Sequence, residues 1–161
     1  MIYLGVKMFK PNIYVENVHK INYEKLAKSN IKLVCFDLDN TLDEPDIITK
    51  EKDLELKKLF DEIEKLGIKI YIISNNSIKG RVDSFCKIYN LGYIENAKKP
   101  FLKKYINDEM IGSFKREEIA FVGDTIVTDV IGGNRFGSLT ILVVLFKKNL
   151  VLQDTIPRDL W

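Results

Sequence analysis

Lys32-Leu33-Val34-Cys35-Phe36-Asp37-Leu38-Asp39-Asn40-Thr41-Leu42 is an apolar run that stops abruptly at two closely spaced carboxylates. Residues 32–36 have the length of one buried strand, and Asp37 marks its carboxyl end. A strand covered on both faces reads as a continuous apolar run, which is the habit of parallel sheets.

Working outward, residues 50–66 carry Leu56, Leu59, Phe60, Ile63 and Leu66 at helical spacing, and Gly67 stands where a left-handed C-terminal cap is wanted. A second strand is predicted at 68–73, ending at Ser74. Val82, Phe85, Cys86 and Tyr89 mark the inner face of a helix from about 78 to 90. Residues 92–95 read as a short third strand. Pro100 suits the first position of a further helix, where its missing N–H costs nothing. A fourth strand at 119–122 runs into Gly123-Asp124, a small-residue helix spans about 127–136, and 139–145 is the fifth strand. Gly132 and Gly133 read as allowing close helix–sheet packing.

Apolar runs alternating with helical stripes imply βαβ units with right-handed crossovers, hence an open parallel α/β sheet covered on both faces. The 161 residues fit one domain, divided as a lead-in over 1–30, a core over 31–147 and a tail over 148–161. The lead-in reads as irregular or short-helical. In the tail only Leu150, Leu152, Ile156 and Trp161 suggest docking.

The bulk chemistry excludes several classes. Net charge is +2, from 25 basic and 23 acidic side chains, which does not suit a dedicated nucleic-acid binder. Cys35 and Cys86 form no close-spaced metal or redox pair and read as reduced core thiols, as expected in the cytoplasm. No run approaches the roughly 18 apolar residues of a membrane span. The segment Met1-Ile2-Tyr3-Leu4-Gly5-Val6-Lys7-Met8-Phe9 is too short for a secretory signal, and is compatible with packing on the domain or with peripheral membrane contact. An oligomer is equally compatible.

Polar residues fall where the strands end: Asp37 after the first, Ser74 after the second, Lys99 beyond the third and Asp124 after the fourth. Open parallel sheets bind ligands at that rim. Asp37, Asp39, Asp124 and Asp129 converging on one small volume would repel by about 4 kcal/mol per pair at about 4 Å and an effective dielectric near 20. A hard divalent cation resolves the conflict, and Mg²⁺ suits carboxylates, waters and a substrate phosphate. His19, the single histidine, lies far from these segments and reads as a surface residue. With a cation present, Asp37 can attack phosphorus and form an aspartyl-phosphate. Asp39, two residues along an extended backbone, can protonate the leaving oxygen and later deprotonate water. Lys99, the Ser74 hydroxyl and the Asn75 backbone N–H can bind the phosphoryl oxygens.

Taken singly, a strand-terminal Asp is usually a turn residue or a cap, Asp129 suits a helix start for dipole reasons alone, and Ser74, Asn75 or Ser77 could merely cap a helix. In register, the four segments resemble the motifs of the haloacid-dehalogenase superfamily. Asp37-Leu38-Asp39-Asn40-Thr41-Leu42 resembles the first, Ser74-Asn75-Asn76 the second, Lys98-Lys99-Pro100 the third and Gly123-Asp124-Thr125-Ile126-Val127-Thr128-Asp129 the fourth. Phe9-Lys10-Pro11, Tyr14-Val15-Glu16, Ala97-Lys98-Lys99-Pro100 and Gly132-Gly133-Asn134-Arg135-Phe136-Gly137 resemble the YqeG-type branch of subfamily IIIA, which is similar to mitochondrial phosphatidylglycerophosphate phosphatases. Thr125, where the branch usually carries glutamine, and Asp43-Glu44-Pro45-Asp46 depart from it.

The resemblance implies a Rossmann-like sheet of five strands in the order 3-2-1-4-5. It implies Mg²⁺ held by Asp37, the Asp39 carbonyl and Asp124, with Asp129 supporting metal waters or Lys99. Residues 43–49 and 96–99 leave no room for a cap domain, so the site is expected to be open. The expected substrate is a phosphate monoester, with a phosphatidylglycerophosphate-like head group favoured. A small soluble ester or nucleotide, a non-catalytic phosphate binder and a phosphorylated receiver-type switch stand as rivals, the last two disfavoured by Asp39.

Overall fold

The computed structural model describes residues 6–42 and 49–144. Its centre is a sheet of β1 (Ile13–Val15), β2 (Leu33–Phe36), β3 (Lys69–Ile73), β4 (Gly92–Ile94), β5 (Ile119–Gly123) and β6 (Leu139–Val143). All neighbours pair parallel, in the order β1-β6-β5-β2-β3-β4. The five strands expected from sequence lie in the expected order, and a sixth extends the sheet beyond β6.

That sixth strand corrects the irregular lead-in. Ile13 pairs with Ile141 and Val15 with Val143. Its entry is fixed by polar contacts that no local pattern reveals. The Asn12 side-chain oxygen accepts from the Thr140 N–H at 2.9 Å, and the Asn134 amide donates to the carbonyls of Met8 and Lys10 at 2.9 and 3.0 Å. The Thr140 hydroxyl donates to Asn134 Oδ1 at 3.0 Å and so joins the two anchors.

Side-chain alternation along β2 builds two apolar layers. Val34, Phe36 and Leu38 face α1 (Tyr23–Lys28), α2 (Lys50–Lys65) and α3 (Arg81–Tyr89), packing with Leu26, Leu59, Phe60, Ile63, Val82 and Phe85. Leu33 and Cys35 face the opposite layer, with Tyr105 of α4 (Lys103–Ile106), Ile111 of α5 (Glu109–Gly112) and Phe136 of α6 (Ile131–Phe136). Each fully buried Leu, Ile or Phe contributes about 1.5–3 kcal/mol relative to exposure. The central strands, buried on both sides, are therefore the rigid base beneath the rim.

Gly67 takes φ 80° at the end of α2, as its cap position requires. Gly133 is the close approach expected of the glycine pair: an added Cβ would lie 2.5 Å from Thr140 Cγ2. At Gly132 the nearest atom would be 3.4 Å away, so only Gly133 demands the missing side chain.

Three helix starts differ from the sequence reading. Pro100 does not open a helix; it sits in a turn closed by the Phe101 N–H on the Lys98 carbonyl at 2.8 Å, and α4 begins at Lys103. Helix α3 begins at Arg81 instead of Ile78, because Gly80 at φ 80° breaks helical continuity. The segment expected as one helix over 127–136 is a π-helical turn, Ile126–Val130, leading into α6. The tail and the 43–48 stretch lie outside the described residues, as does the end of the fifth predicted strand at Leu145.

Candidate active site

The rim site lies where the strand order reverses, between β2 and β5. The Asp37 N–H donates to the Val122 carbonyl at 2.8 Å, which carries β2–β5 pairing one step past the strand. Asp37 is thereby set beside the Gly123-Asp124 turn. On the other side, the segment after β4 is laid along the end of β3: the Ala97 N–H donates to the Ser74 carbonyl at 2.9 Å and the Asn96 N–H to the Asn76 carbonyl at 3.0 Å. The Asn75 side chain then grips the Lys99 backbone twice, accepting from its N–H at 2.7 Å and donating to its carbonyl at 3.0 Å.

Lys99 is driven inward by this turn and is only 7% exposed. Its Nζ donates to Asp37 Oδ1 at 2.8 Å and to Asp129 Oδ1 at 2.5 Å. Asp129 is held from its other oxygen by the Thr125 N–H at 3.1 Å, while its own N–H donates to the Thr125 carbonyl at 2.8 Å. The π-helical turn thus aims this carboxylate inward. Asp124 Oδ1 accepts from the Thr125 hydroxyl at 3.2 Å.

Carboxylate oxygens of Asp37, Asp124 and Asp129 lie within 4.8 Å of one another, and among the described residues no other cluster of potential metal ligands forms. Burial pushes the Asp37 carboxyl up to about 7, against the pull of Lys99 and with a push from Asp129. Burial, then the Asp129 charge, raises Asp124 as well. For Lys99 burial acts downward, but Asp129 and Asp37 outweigh it and hold the ammonium above its ordinary value. Such carboxylates hold protons that a divalent cation would displace. The donor set is all oxygen and hard, which fits Mg²⁺. Asp129 has both oxygens engaged by Lys99 and Thr125, so Asp37 and Asp124 are the better placed for direct ligation.

The Asp39 carboxylate is not in this cluster. It accepts from the Asn76 amide at 2.9 Å on Oδ2 and from Arg81 Nη2 at 2.8 Å on Oδ1. Ser74 is buried at the end of β3, with its Oγ accepting from the Asn76 N–H at 3.1 Å. Asn75 supports Lys99 through its side chain, a role that the sequence reading, which looked to its backbone N–H, did not contain. Arg81 and Asn76 were also missed: a charged residue at a helix start reads as solvated. His19, Cys35 and Cys86 contribute nothing to the cluster.

A cavity of about 700 Å³ opens beside Asn40 and Arg81, between α2 and α3, with Leu56, Phe85 and Ile88 in its walls and Lys52 at its side. Of the two places where a cap could have been inserted, residues 96–99 are taken up by the turn just described, and 43–48 lie outside the described residues. Among the described residues no helix is long and apolar enough to cross a membrane.

Comparison with known proteins bears on this geometry. The family described as mitochondrial PGP phosphatase matches residues 2–145. The probable phosphatase YqeG of Bacillus subtilis is 39% identical over 138 residues, covering 86% of this chain and 78% of that protein. Two crystal structures share the fold at low identity. An uncharacterised protein of Corynebacterium glutamicum superposes with a TM-score of 0.56 at 15% identity, over 73% of this chain and 88% of its own. Another, from Listeria monocytogenes, gives 0.55 at 17% identity, over 75% and 85%.

Proposed function

The chain belongs to the mitochondrial PGP phosphatase family and is a phosphatase with a haloacid-dehalogenase-like fold, and on that premise we propose that it hydrolyses a phosphate monoester through an aspartyl-phosphate on Asp37. The observation that carries the reading is the meeting of the Asp37, Asp124 and Asp129 carboxylates, with the buried Lys99 ammonium paired to Asp37 and Asp129.

An Asp37 carboxylate oxygen forms the new bond to phosphorus as the bond from phosphorus to the leaving oxygen breaks, and Asp39 delivers a proton to that oxygen. Water then attacks phosphorus, Asp39 removes its proton, and the bond to Asp37 breaks to release phosphate. Lys99 keeps Asp37 oriented and neutralises charge on the equatorial oxygens. Ser74 and the backbone at Asn75 line the phosphoryl position. Mg²⁺ would be held by Asp37, Asp124 and the Asp39 carbonyl, with Asp129 in support, and would supply neutralisation of the phosphoryl charge.

For the substrate, a lipid head group of the phosphatidylglycerophosphate kind is supported by apolar side chains on the rim. Ile78 follows the second motif, Phe101 the third, and Ile126 and Val127 lie within the fourth, and all of them are exposed. The described residues between β4 and α4 form no lid over them, and the cavity beside Asn40 and Arg81 has apolar walls that suit an amphiphilic alcohol. Such a rim suits peripheral contact with a membrane surface from the cytoplasm.

Phosphate release with Mg²⁺ tests the chemistry: Asp37→Asn should lose at least about a thousandfold in kcat, some 4 kcal/mol of barrier, with an unchanged circular dichroism spectrum. Near-native turnover would assign the nucleophile elsewhere. Co-sedimentation with anionic vesicles tests the substrate reading. Loss of binding in an Ile78→Asp, Phe101→Asp variant supports it, whereas a wild type that ignores vesicles and prefers small soluble esters removes it.

A further inference from the structure

We infer that Arg81 and Asn76 are positioning residues for Asp39, a clamp that keeps its carboxylate off the metal and available to the leaving oxygen. The inference rests on the proposed acid/base role of Asp39.

The two Asp39 oxygens are taken separately, Oδ2 by the Asn76 amide at 2.9 Å and Oδ1 by Arg81 Nη2 at 2.8 Å. Both partners are themselves fixed. Asn76 Oδ1 accepts from the Ile78 N–H at 2.8 Å, its N–H donates to Ser74 Oγ at 3.1 Å, and its carbonyl receives the Asn96 N–H at 3.0 Å. Arg81 is the first residue of α3, entered through Gly80 in the left-handed region. Each donor therefore stands on a braced segment, and both face the same carboxylate.

The physical need follows from what surrounds Asp39. Three carboxylates already gather at the neighbouring point, and a cation bound there attracts any further carboxylate within reach. Asp39 is two residues from Asp37, on the same short loop. A carboxylate drawn onto the ion would lose its freedom to exchange a proton with substrate. A guanidinium and an amide together offer charge-assisted hydrogen bonds that compete with that ligation. Arg81 also lines the cavity, as do Asn40 and Thr41 just after Asp39, so the clamp adjoins the space proposed for the substrate alcohol.

Two measurements test this. The first is kcat/KM with Mg²⁺ for phosphate monoesters ranging from 2,4-dinitrophenyl through p-nitrophenyl to simple alkyl phosphate. For Arg81→Ala, the loss should grow from a few-fold for the best leaving group to about a hundredfold for alkyl phosphate, in the range expected for lost general-acid help. Arg81→Lys should fall between Arg81→Ala and wild type. A loss uniform along the series would mean a merely structural role and would overturn the inference. Asp39→Asn is run in parallel. A steep series there with a flat one for Arg81→Ala sinks the clamp alone, and a flat series for Asp39→Asn sinks the acid/base reading itself.

The second measurement needs no turnover. Calorimetric Mg²⁺ affinities of wild type, Arg81→Ala, Asp39→Asn and the double variant form a cycle. Arg81→Ala should tighten Mg²⁺ about tenfold when Asp39 is present and by much less when it is Asn. Equal effects in both backgrounds would show that Asp39 is not released toward the metal.

Discussion

The Asp129 carboxylate occupies the space that a side chain at position 123 would fill: a methyl group on Gly123 would lie 2.2 Å from Asp129 Cγ. Lys99 and the Thr125 N–H pin that carboxylate, so it has nowhere cheap to go. Gly123→Ala is therefore expected to cost at least about tenfold in Mg²⁺ affinity. The strand itself, buried throughout β5, should still form, but with a lowered Tm because the pinned carboxylate has to shift. Calorimetric titration with Mg²⁺, beside a thermal melt, checks both halves; unchanged affinity would mean that Asp129 moves freely.

Lys99 separates the buried Asp129 carboxylate from that of the half-buried Asp37. Lys99→Met removes the ammonium and leaves Asp37 facing Asp129 across the same gap. Breaking a buried pair from one side costs about 3–5 kcal/mol. The expected result is a large loss of stability in chelator, much of it recovered in Mg²⁺. Urea denaturation under both conditions measures it, and equal losses with and without metal would argue against a shared ion.

The Asp37 titration has a definite sign. Its carboxyl sits at about 7 in the folded metal-free chain, against an ordinary value of 3.8. Between those values the folded state keeps a proton that the unfolded state has released, so the contribution of Asp37 to stability declines as pH rises from about 4 to about 7. In chelator, wild type should lose Tm across that window relative to Asp37→Asn, which has no such proton. The rise in Tm on adding Mg²⁺ should grow over the same interval. Parallel Tm profiles for the two chains would refute the assignment.

Cys35 and Cys86 are buried and unbridged by any disulfide, and neither is a member of the carboxylate cluster. Burial raises the Cys35 thiol above its ordinary value, and Cys86 is pushed up to about 12, again by burial first. Thiols held protonated react slowly. Neither should react with a disulfide reagent in the native protein at neutral pH, and both should react at once in denaturant. A fast native phase would show that one of them opens to solvent.

What could be read in advance was what periodicity encodes. The stripe Leu56, Leu59, Phe60, Ile63 names the buried face of α2, and the runs ending at Asp37, Ser74 and Asp124 name the central strands. Beyond that, tertiary contacts decide. Ile13-Tyr14-Val15 is too short to show alternation, and it becomes a strand because Asn12, Thr140 and Asn134 hold it against β6. Pro100 would suit a helix start, but the Asn75 side chain captures the Lys99 backbone and makes a turn there instead. Arg81 belongs to no motif, and only the fold brings it to Asp39.

The pairing of β1 with β6 also bears on how the polypeptide is made. Contacts such as Asn12 with Thr140 span 128 positions. A chain emerging from the ribosome exposes β1 before the other described strands, yet among the described residues the strand it pairs with, β6, is the last of the sheet to be translated. The middle strands can join in order of synthesis, while the earliest segment must wait, unpaired, for the latest. Long-range closure of this kind is slow and leaves an apolar edge open to wrong partners in the meantime. The Asn12–Thr140–Asn134 lock can therefore form only once β6 has left the ribosome, and nascent chains halted before β6 would still carry β1 unpaired.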